Sequence, residues 1–524
     1  MGTDLQIAAR QVHSVNPATC ETLRAFDCLG DAEVRAAVAR AHAAQENWNA
    51  LGPRKRVAVL REFQRLLHEK ESDVARLITS EAGKPYVEAL LTEVLVVLDA
   101  ARFLIENAYS LLREQPVPHG SMAMKAKSGR LLREPYGVIG IISPWNYPFS
   151  IPATETLAAL VAGNAVVLKP SEFTSLCALE LQSLLHAAGV PKVVFQVVVG
   201  DGATGVALMG SAIDKLVFTG SVPTGKRVAQ AAASRLLPVV LELGGKDPML
   251  VLDDADVDVA SSGAVWGAFV NAGQACLSVE RCYVHRSICE PFVEACAAKA
   301  KRLHMGNGLD PQTDVGPLIH ERQLRIVEAH VEDAKALGAR ILAGGKRLPE
   351  LGSNFYAPTV LADVTHTMRI MREETFGPIL PVMAFASDDE AIQLANDSEY
   401  GLAASIWTRD RTRGEALAKR INAGTVMVND VVSCFGISEA PHGGVKASGL
   451  GRTHGSFGLE EMVRVKYVDS DRLPGVKKVW WYGYGAASAR QMEGFVDLMF
   501  SRSIVNRVRG ALRSAGSYVR KGRV

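Results

Sequence analysis

The chain lacks several of the features by which a sequence announces its class. No uninterrupted apolar run reaches the roughly 18 residues of a membrane-spanning helix. Met1 to Arg10 lacks the charged-then-apolar layout of a secretory leader. The eight cysteines are scattered with no Cys-x-x-Cys pair, so neither a metal site nor a disulfide framework is expected. Charge is nearly balanced, at +2 over 524 residues, which gives no general reason to expect nucleic acid as a partner. No repeat of fixed period and no low-complexity segment interrupts the chain. What remains is a globular composition, 48% hydrophobic and 22% charged. The length suffices for two or three domains. Free thiols fit a reducing, cytoplasmic setting.

Periodicity supplies the coarse architecture. Residues 12–30 read as short extended pieces around Val15-Asn-Pro-Ala-Thr. Helices are expected from Asp31, over 53–70 and 72–82, and over 86–111 with an apolar stripe through Leu90, Val94, Val97, Ala101 and Leu104. Residues 119–137 read as a hairpin turning at Ser128-Gly129. From Val138 short apolar strands alternate with helices as far as Leu243, and the alternation restarts after 276. That pattern means α/β, with two doubly wound lobes whose parallel strands carry helices on both faces. Ligands of such sheets lie at the carboxyl ends of the strands.

Two stretches carry chemistry. Phe269-Val-Asn-Ala-Gly-Gln-Ala-Cys-Leu-Ser278 centres on Cys276, with small residues beside it that let backbone approach a ligand. Leu241-Glu-Leu-Gly-Gly-Lys-Asp-Pro248 carries Glu242. A thiolate attacks carbonyl carbon, and a carboxylate in a partly apolar pocket moves protons. Either alone reads as an inert cysteine or a solvated acid. Together, 34 positions apart, they closely resemble the two signature motifs of the aldehyde dehydrogenase superfamily. The resemblance runs from about residue 12 to about residue 470, with Ser278 as a visible departure from the family's motif.

The cofactor reading begins from two glycine turns. Gly200-Asp-Gly-Ala-Thr-Gly205 matches a dinucleotide fingerprint but lacks the acidic residue about 20 positions on. Phe218-Thr-Gly-Ser-Val-Pro-Thr-Gly-Lys226 places Gly220 and Ser221 before a helix start, where exposed amides attract a pyrophosphate. The resemblance implies that Gly220-Ser221 faces the pyrophosphate and that Gly202 lies by the adenine. It implies that Lys169 and Glu172, in Lys169-Pro-Ser-Glu172, hold the adenosine ribose. A carboxylate there repels a 2′-phosphate, which favours NAD over NADP. Glu374 and Phe376 are implied at the nicotinamide ribose and ring. Ser143, Trp145, Ser171, Phe218, Leu243 and Gly244 complete the implied cofactor set.

The resemblance also implies a mechanism. Cys276 is the nucleophile, and Asn146, in Ser143-Pro-Trp-Asn-Tyr-Pro148, holds the oxyanion with the Cys276 amide. Glu242 activates the water that hydrolyses the thioester. Tyr147, Phe435 and His442 are implied at the substrate, His442 standing where relatives usually have Phe. The loop Val432 to Pro441 contains no Arg or Lys, which points to an apolar aliphatic or aromatic aldehyde. Two alternatives stay open: a coenzyme A-acylating relative, and a non-catalytic structural or membrane-associated one.

The implied domains are 1–118 with 138–243 for NAD(P) binding and 244–460 for catalysis. A β arm, 119–137 with 461–470, is expected to hold a homodimer or homotetramer together. Past Asp471 the chain departs from the family. From Lys477 onward ten Lys and Arg stand against Glu493 and Asp497, leaving about +8 on the tail and about −6 on the rest. A helical stretch from about 488 to 513 has Phe495, Leu498, Met499, Val505, Val508 and Leu512 compatible with one face, and Arg502, Arg509 and Arg513 on another. The extension 471–524 therefore reads as a basic amphipathic segment, for a membrane surface or for docking on protein.

Overall fold

The computed structural model describes residues 10–478 and 480–515. Glu114–Leu132 and the described residues from Lys466 onward form one compact unit, and the other described residues form a second.

The larger unit holds two sheets, each with its own apolar core. The first has six strands, with Val138–Ile142 at its centre, flanked by Ala165–Lys169 and Lys215–Thr219. Phe195–Val197 and Val239–Glu242 lie outside these, and all five are parallel. These segments are nearly continuous apolar runs because both faces are covered by helices. The sixth strand, Gly449–Leu450, arrives from far along the chain and pairs antiparallel with Val239–Glu242, setting Gly449 opposite Glu242. The second sheet has seven strands, with Asp247–Val251 paired parallel to both Val279–His285 and Ala403–Trp407. The helix Val257–Phe269, which leads into the Cys276 segment, was not apparent from periodicity. It is apolar on several faces, so no stripe marks it.

The smaller unit carries a three-stranded sheet in the order Val463–Asp471, Lys127–Pro135, Gln115–Val117, whose first two strands begin or end just across the boundary. The expected turn at Ser128-Gly129 is wrong. Both residues lie inside a strand, and Gly129 sits opposite Val117. Gly129 is there for close packing, since a Cβ would come within 2.8 Å of both Tyr467 and His119. The single helix expected over 488–513 is also wrong. Ala486–Phe500 and Ile504–Ala515 are separate helices, and Arg502 falls in the break, out of register with Arg509 and Arg513. Residues 516–524 of the expected extension lie outside the described residues.

Candidate active site

Four strands of the first sheet deliver their carboxyl ends to one edge, and the site is built there. Val138–Ile142 leads to Ser143 through Tyr147, and Ala165–Lys169 to Lys169, Ser171 and Glu172. Lys215–Thr219 leads to Gly220 and Ser221, and Val239–Glu242 to Glu242, Leu243 and Gly244. A cleft of about 480 Å³ opens onto this edge. Trp145, Asn146, Ser171, Glu172, Gly220, Ser221, Glu242, Leu243, Gly244, Cys276, Glu374 and Phe376 all border it. Ser143, Lys169, Gly202, Phe218 and His442 do not line this cleft.

Several details suit the cleft to a dinucleotide. Ser221 is the N-cap of Val222–Ala233 and its hydroxyl meets Thr224 Oγ1 at 3.2 Å, so no side chain caps the helix's first amides. Those amides are free for a pyrophosphate. The Gly202 helix is different. Asp201 caps it, accepting from the Ala203 and Thr204 amides and pairing with Arg10. A carboxylate already holds that helix start, which disfavours a phosphate there. Lys169 Nζ lies 3.4 Å from Glu172. Burial lowers the Lys169 pKa, opposed by the Glu172 charge. Phe218 packs inward, its ring 2.7 Å from where a Gly220 Cβ would be. Gly244 lets the Glu374 carboxylate approach within 2.5 Å of its absent Cβ, and Glu374 accepts from the Gly245 amide at 3.0 Å. Burial, then the Glu280 charge, raises Glu374 to about 8. Phe376 stands edge-on to Trp145 at 5.4 Å.

Cys276 is presented by a strained run. Asn271, Ala272 and Gly273 are all left-handed, at φ of 53°, 55° and 72°. Gly273 is obligatory, because a Cβ would lie 2.1 Å from the Gly377 carbonyl. Strain of this kind persists only where surroundings over-determine it. Here Asn271 donates to the carbonyls of Asn146 and Gln274, and its own amide donates to Glu88. Burial pushes the Cys276 thiol well up, helped by the carboxylates of Asp247, Glu242 and Glu374. At rest Cys276 is therefore a thiol, and ionising it needs a base or a nearby positive charge.

Asn146 is gripped on two sides. Its carbonyl accepts from Lys84 Nζ at 2.8 Å, and its side-chain amide donates to the Gln274 carbonyl at 3.1 Å. Lys84 forms a fully buried pair with Glu93 at 2.6 Å and lies over the Tyr147 ring. Glu93 accepts from the amides of Phe149 and Ser150. Its position is set by a π-helical turn, Leu90–Val94, inserted between Tyr86–Ala89 and Leu95–Leu112. Sequence reasoning missed Lys84, Glu93, Asn271 and Gln274. The one available signal was Glu93 itself, a glutamate at helical spacing from Leu90 and Val97 on the apolar stripe.

Glu242 is buried at the end of its strand, and neither carboxylate oxygen has a hydrogen-bond partner among the described residues. Burial raises its pKa well above the usual range, and the Glu155 charge adds to this. His442 Nε2 lies 3.8 Å from Glu242, and its ring is 5.8 Å from that of His454. Both imidazoles are held neutral by burial, His442 at about 3 and His454 at about 4. His442 borders a small cavity shared with Glu242 and Cys276, not the larger apolar tunnel that also reaches Cys276. Ser278 takes no part in either, since its hydroxyl donates to the Gly267 carbonyl.

The tunnel reaches Cys276 from the other side, with a volume of about 500 Å³. Tyr147, Phe435, Leu95, Trp266, Leu277 and Ile437 are among its walls. Among the described residues, Asp99 is the only charged one lining it. Val432, also in the wall, holds a φ of 64°, a conformation a β-branched residue rarely adopts.

The chain as a whole has relatives among known proteins. The model of the aldehyde dehydrogenase family matches residues 6–468. The chain is 40% identical over 494 residues to 4,4'-diapolycopene aldehyde oxidase of a Methylomonas species, covering 93% of this chain and 91% of that protein. It is 40% identical over 451 residues to a Mycolicibacterium smegmatis protein named "Putative succinate-semialdehyde dehydrogenase (NADP+)", covering 85% of each. The structure of a Bacillus cereus aldehyde dehydrogenase in complex with NAD+ superposes with a TM-score of 0.84 at 36% identity, covering 88% of this chain and 93% of that one. The chain belongs to the aldehyde dehydrogenase family. It is an oxidoreductase that acts on aldehydes with NAD or NADP.

Proposed function

We propose that the protein oxidises an apolar aliphatic or aromatic aldehyde to its carboxylic acid through a thioester on Cys276. The observation that carries this is the place of Cys276 at the meeting of two spaces. One is the cofactor cleft bordered by Asn146, Glu242, Glu374 and Phe376, and the other is the apolar tunnel. Glu172 with Lys169 would hold the adenosine ribose, the Ser221 helix start the pyrophosphate, and Glu374 the nicotinamide ribose. When bound, NAD(P) supplies a hydride acceptor.

The Cys276 thiol gives up its proton to water in the cleft, its sulfur adds to the aldehyde carbon, and the carbonyl π bond opens. The oxyanion is stabilised by the Asn146 side-chain amide and the Cys276 N–H. Loss of hydride re-forms the carbonyl and leaves a thioester. Glu242 then takes a proton from water, the hydroxide adds to the thioester, and the C–S bond breaks to release the acid. A buried carboxylate of raised pKa is a stronger base than an exposed one, which suits this step. Release to coenzyme A would not need such a base.

A carboxylate-bearing semialdehyde needs a cation at the far end of its site. Among the described residues the tunnel wall has none, and Arg102, next to Asp99, is already paired with Asp99, Glu106 and Glu439. An apolar chain is the better match. The assembly is a homodimer or homotetramer that uses the arm, where Val463–Asp471 is an edge strand open to pairing. The tail contacts a membrane surface.

Cys276→Ala should give no NADH from any aldehyde, and turnover in that variant would end this account. Glu242→Gln should give one burst of NADH and then stall with acyl group on Cys276, visible by mass spectrometry. An unchanged steady-state rate would remove Glu242 from the mechanism.

A further inference from the structure

The tail hairpin is turned inside out relative to an ordinary pair of soluble helices. Ala486–Phe500 and Ile504–Ala515 are joined by three residues and pack through glycine. A Cβ on Gly510 would lie 2.4 Å from the Gly494 carbonyl, and one on Gly494 would lie 2.8 Å from the Gly510 carbonyl. Polar contacts finish the seam, with Arg513 3.7 Å from Asp497 and the Gln491 amide near the Ser514 carbonyl. Gly510 therefore points at the partner helix. Ile504, Val505, Val508 and Leu512 recur at helical spacing on the opposite side, and are 78%, 58%, 55% and 69% exposed. The apolar stripe faces water.

Charge and aromatic content specify what would cover it. By helical spacing Arg507 and Arg509 border the stripe on either side. Trp481, Tyr482 and Tyr484, just before the hairpin, are exposed, as is Phe500 at its tip. Amphipathic aromatics with flanking arginines suit the boundary between headgroups and acyl chains. A second copy of the same tail would bring two cationic segments of about +8 together. A polynucleotide would leave the stripe wet. No helix among the described residues is long and apolar enough to cross a bilayer.

We propose that the 486–515 hairpin lies in the headgroup layer of an anionic phospholipid membrane, with the Ile504–Leu512 stripe inserted and Arg507 and Arg509 at the phosphates. This rests on the membrane contact stated above and names its lipid and its inserted face. It also gives the apolar tunnel a source of substrate, since an apolar aldehyde partitions into the bilayer while its carboxylate product returns to water.

The test uses the full chain and sedimentation with vesicles, either neutral phosphatidylcholine or phosphatidylcholine mixed with phosphatidylglycerol. The wild type should sediment with the anionic vesicles only, and about 0.5 M salt should release most of it. R507Q/R509Q should weaken binding about 25-fold, near five-fold for each charge. V508D/L512D should abolish it, while leaving oxidation of a short water-soluble aldehyde unchanged. Equal partitioning of the wild type and V508D/L512D would overturn the proposal. So would dissociation of the oligomer by V508D/L512D without loss of vesicle binding, which would mean that the stripe covers a second copy. Absence of NADH from the wild type with soluble aldehydes would instead count against the catalytic reading and leave the vesicle result standing.

Discussion

Replacing Lys84 with Met should damage both stability and catalysis, and a second substitution should separate the two. Lys84 and Glu93 are fully buried, and their contact is 2.6 Å. Removing the ammonium leaves the Glu93 carboxylate without its counter-charge in a closed interior. Breaking a buried pair in this way costs about 3–5 kcal/mol. That is a large part of the roughly 5–15 kcal/mol that holds a domain folded. The thermal midpoint of Lys84→Met should fall by several degrees. Adding Glu93→Gln removes the stranded charge while keeping an oxygen to accept from the Phe149 and Ser150 amides. K84M/E93Q should recover to within about 1–2 kcal/mol of the wild type. Its activity should not recover. The Asn146 carbonyl still lacks the Lys84 donor, and Tyr147 lacks the cation over its ring. Small displacements at reacting groups are expensive, so kcat/KM should remain about 10- to 100-fold down. Thermal unfolding by tryptophan fluorescence and NADH formation from a single aldehyde measure the two effects. If Lys84→Met melts with the wild type, the pair does not stabilise this fold. If K84M/E93Q regains full activity, Lys84 does not position Asn146.

Glu155 and Glu374 stand at about 8 in the folded protein, against an ordinary 4.5. The folded state thus holds protons that the unfolded chain releases between those values. Their contribution to stability is full below about pH 4.5 and is lost as pH rises through about 8. The melting temperature of the cofactor-free protein should decline over pH 6 to 8, less steeply in Glu155→Gln, and identical slopes would contradict the assignment. Because burial raises Glu242 in the same direction, thioester hydrolysis should quicken as pH rises above the ordinary carboxylate range, and a flat profile would argue against it as the base. Leu95→Arg introduces a cation into the tunnel wall, so kcat/KM for succinate semialdehyde should rise about ten-fold or more while that for a long aliphatic aldehyde falls. Glu172→Ser removes the carboxylate proposed to hold the adenosine ribose, so KM for NADP should drop relative to that for NAD, and an unchanged ratio would place the discrimination elsewhere.

The strand ends that border the cleft were readable because they are written in local strings. The strands ending at Ser143, Lys169, Thr219 and Glu242 are short apolar runs followed by turn residues, and a parallel sheet needs its ligand where those runs end. Cys276 and Glu242 stood out through the company of glycines and small residues on either side of them. What stayed hidden depends on packing across long separations. Lys84 looked like a loop residue until Glu93, Asn146 and Tyr147 closed around it. Gly129 looked like a turn because a glycine in a strand and a glycine in a hairpin are the same letter, and only the ring of Tyr467 decides between them. The tail read as one amphipathic helix because periodicity continues numerically across Arg502, although the chain bends back there and two glycines meet. Composition determined that this tail is basic and partly apolar. Folding alone decided that its apolar side faces outward, since which face of a helix is covered depends on the size of the residues that let another backbone come close.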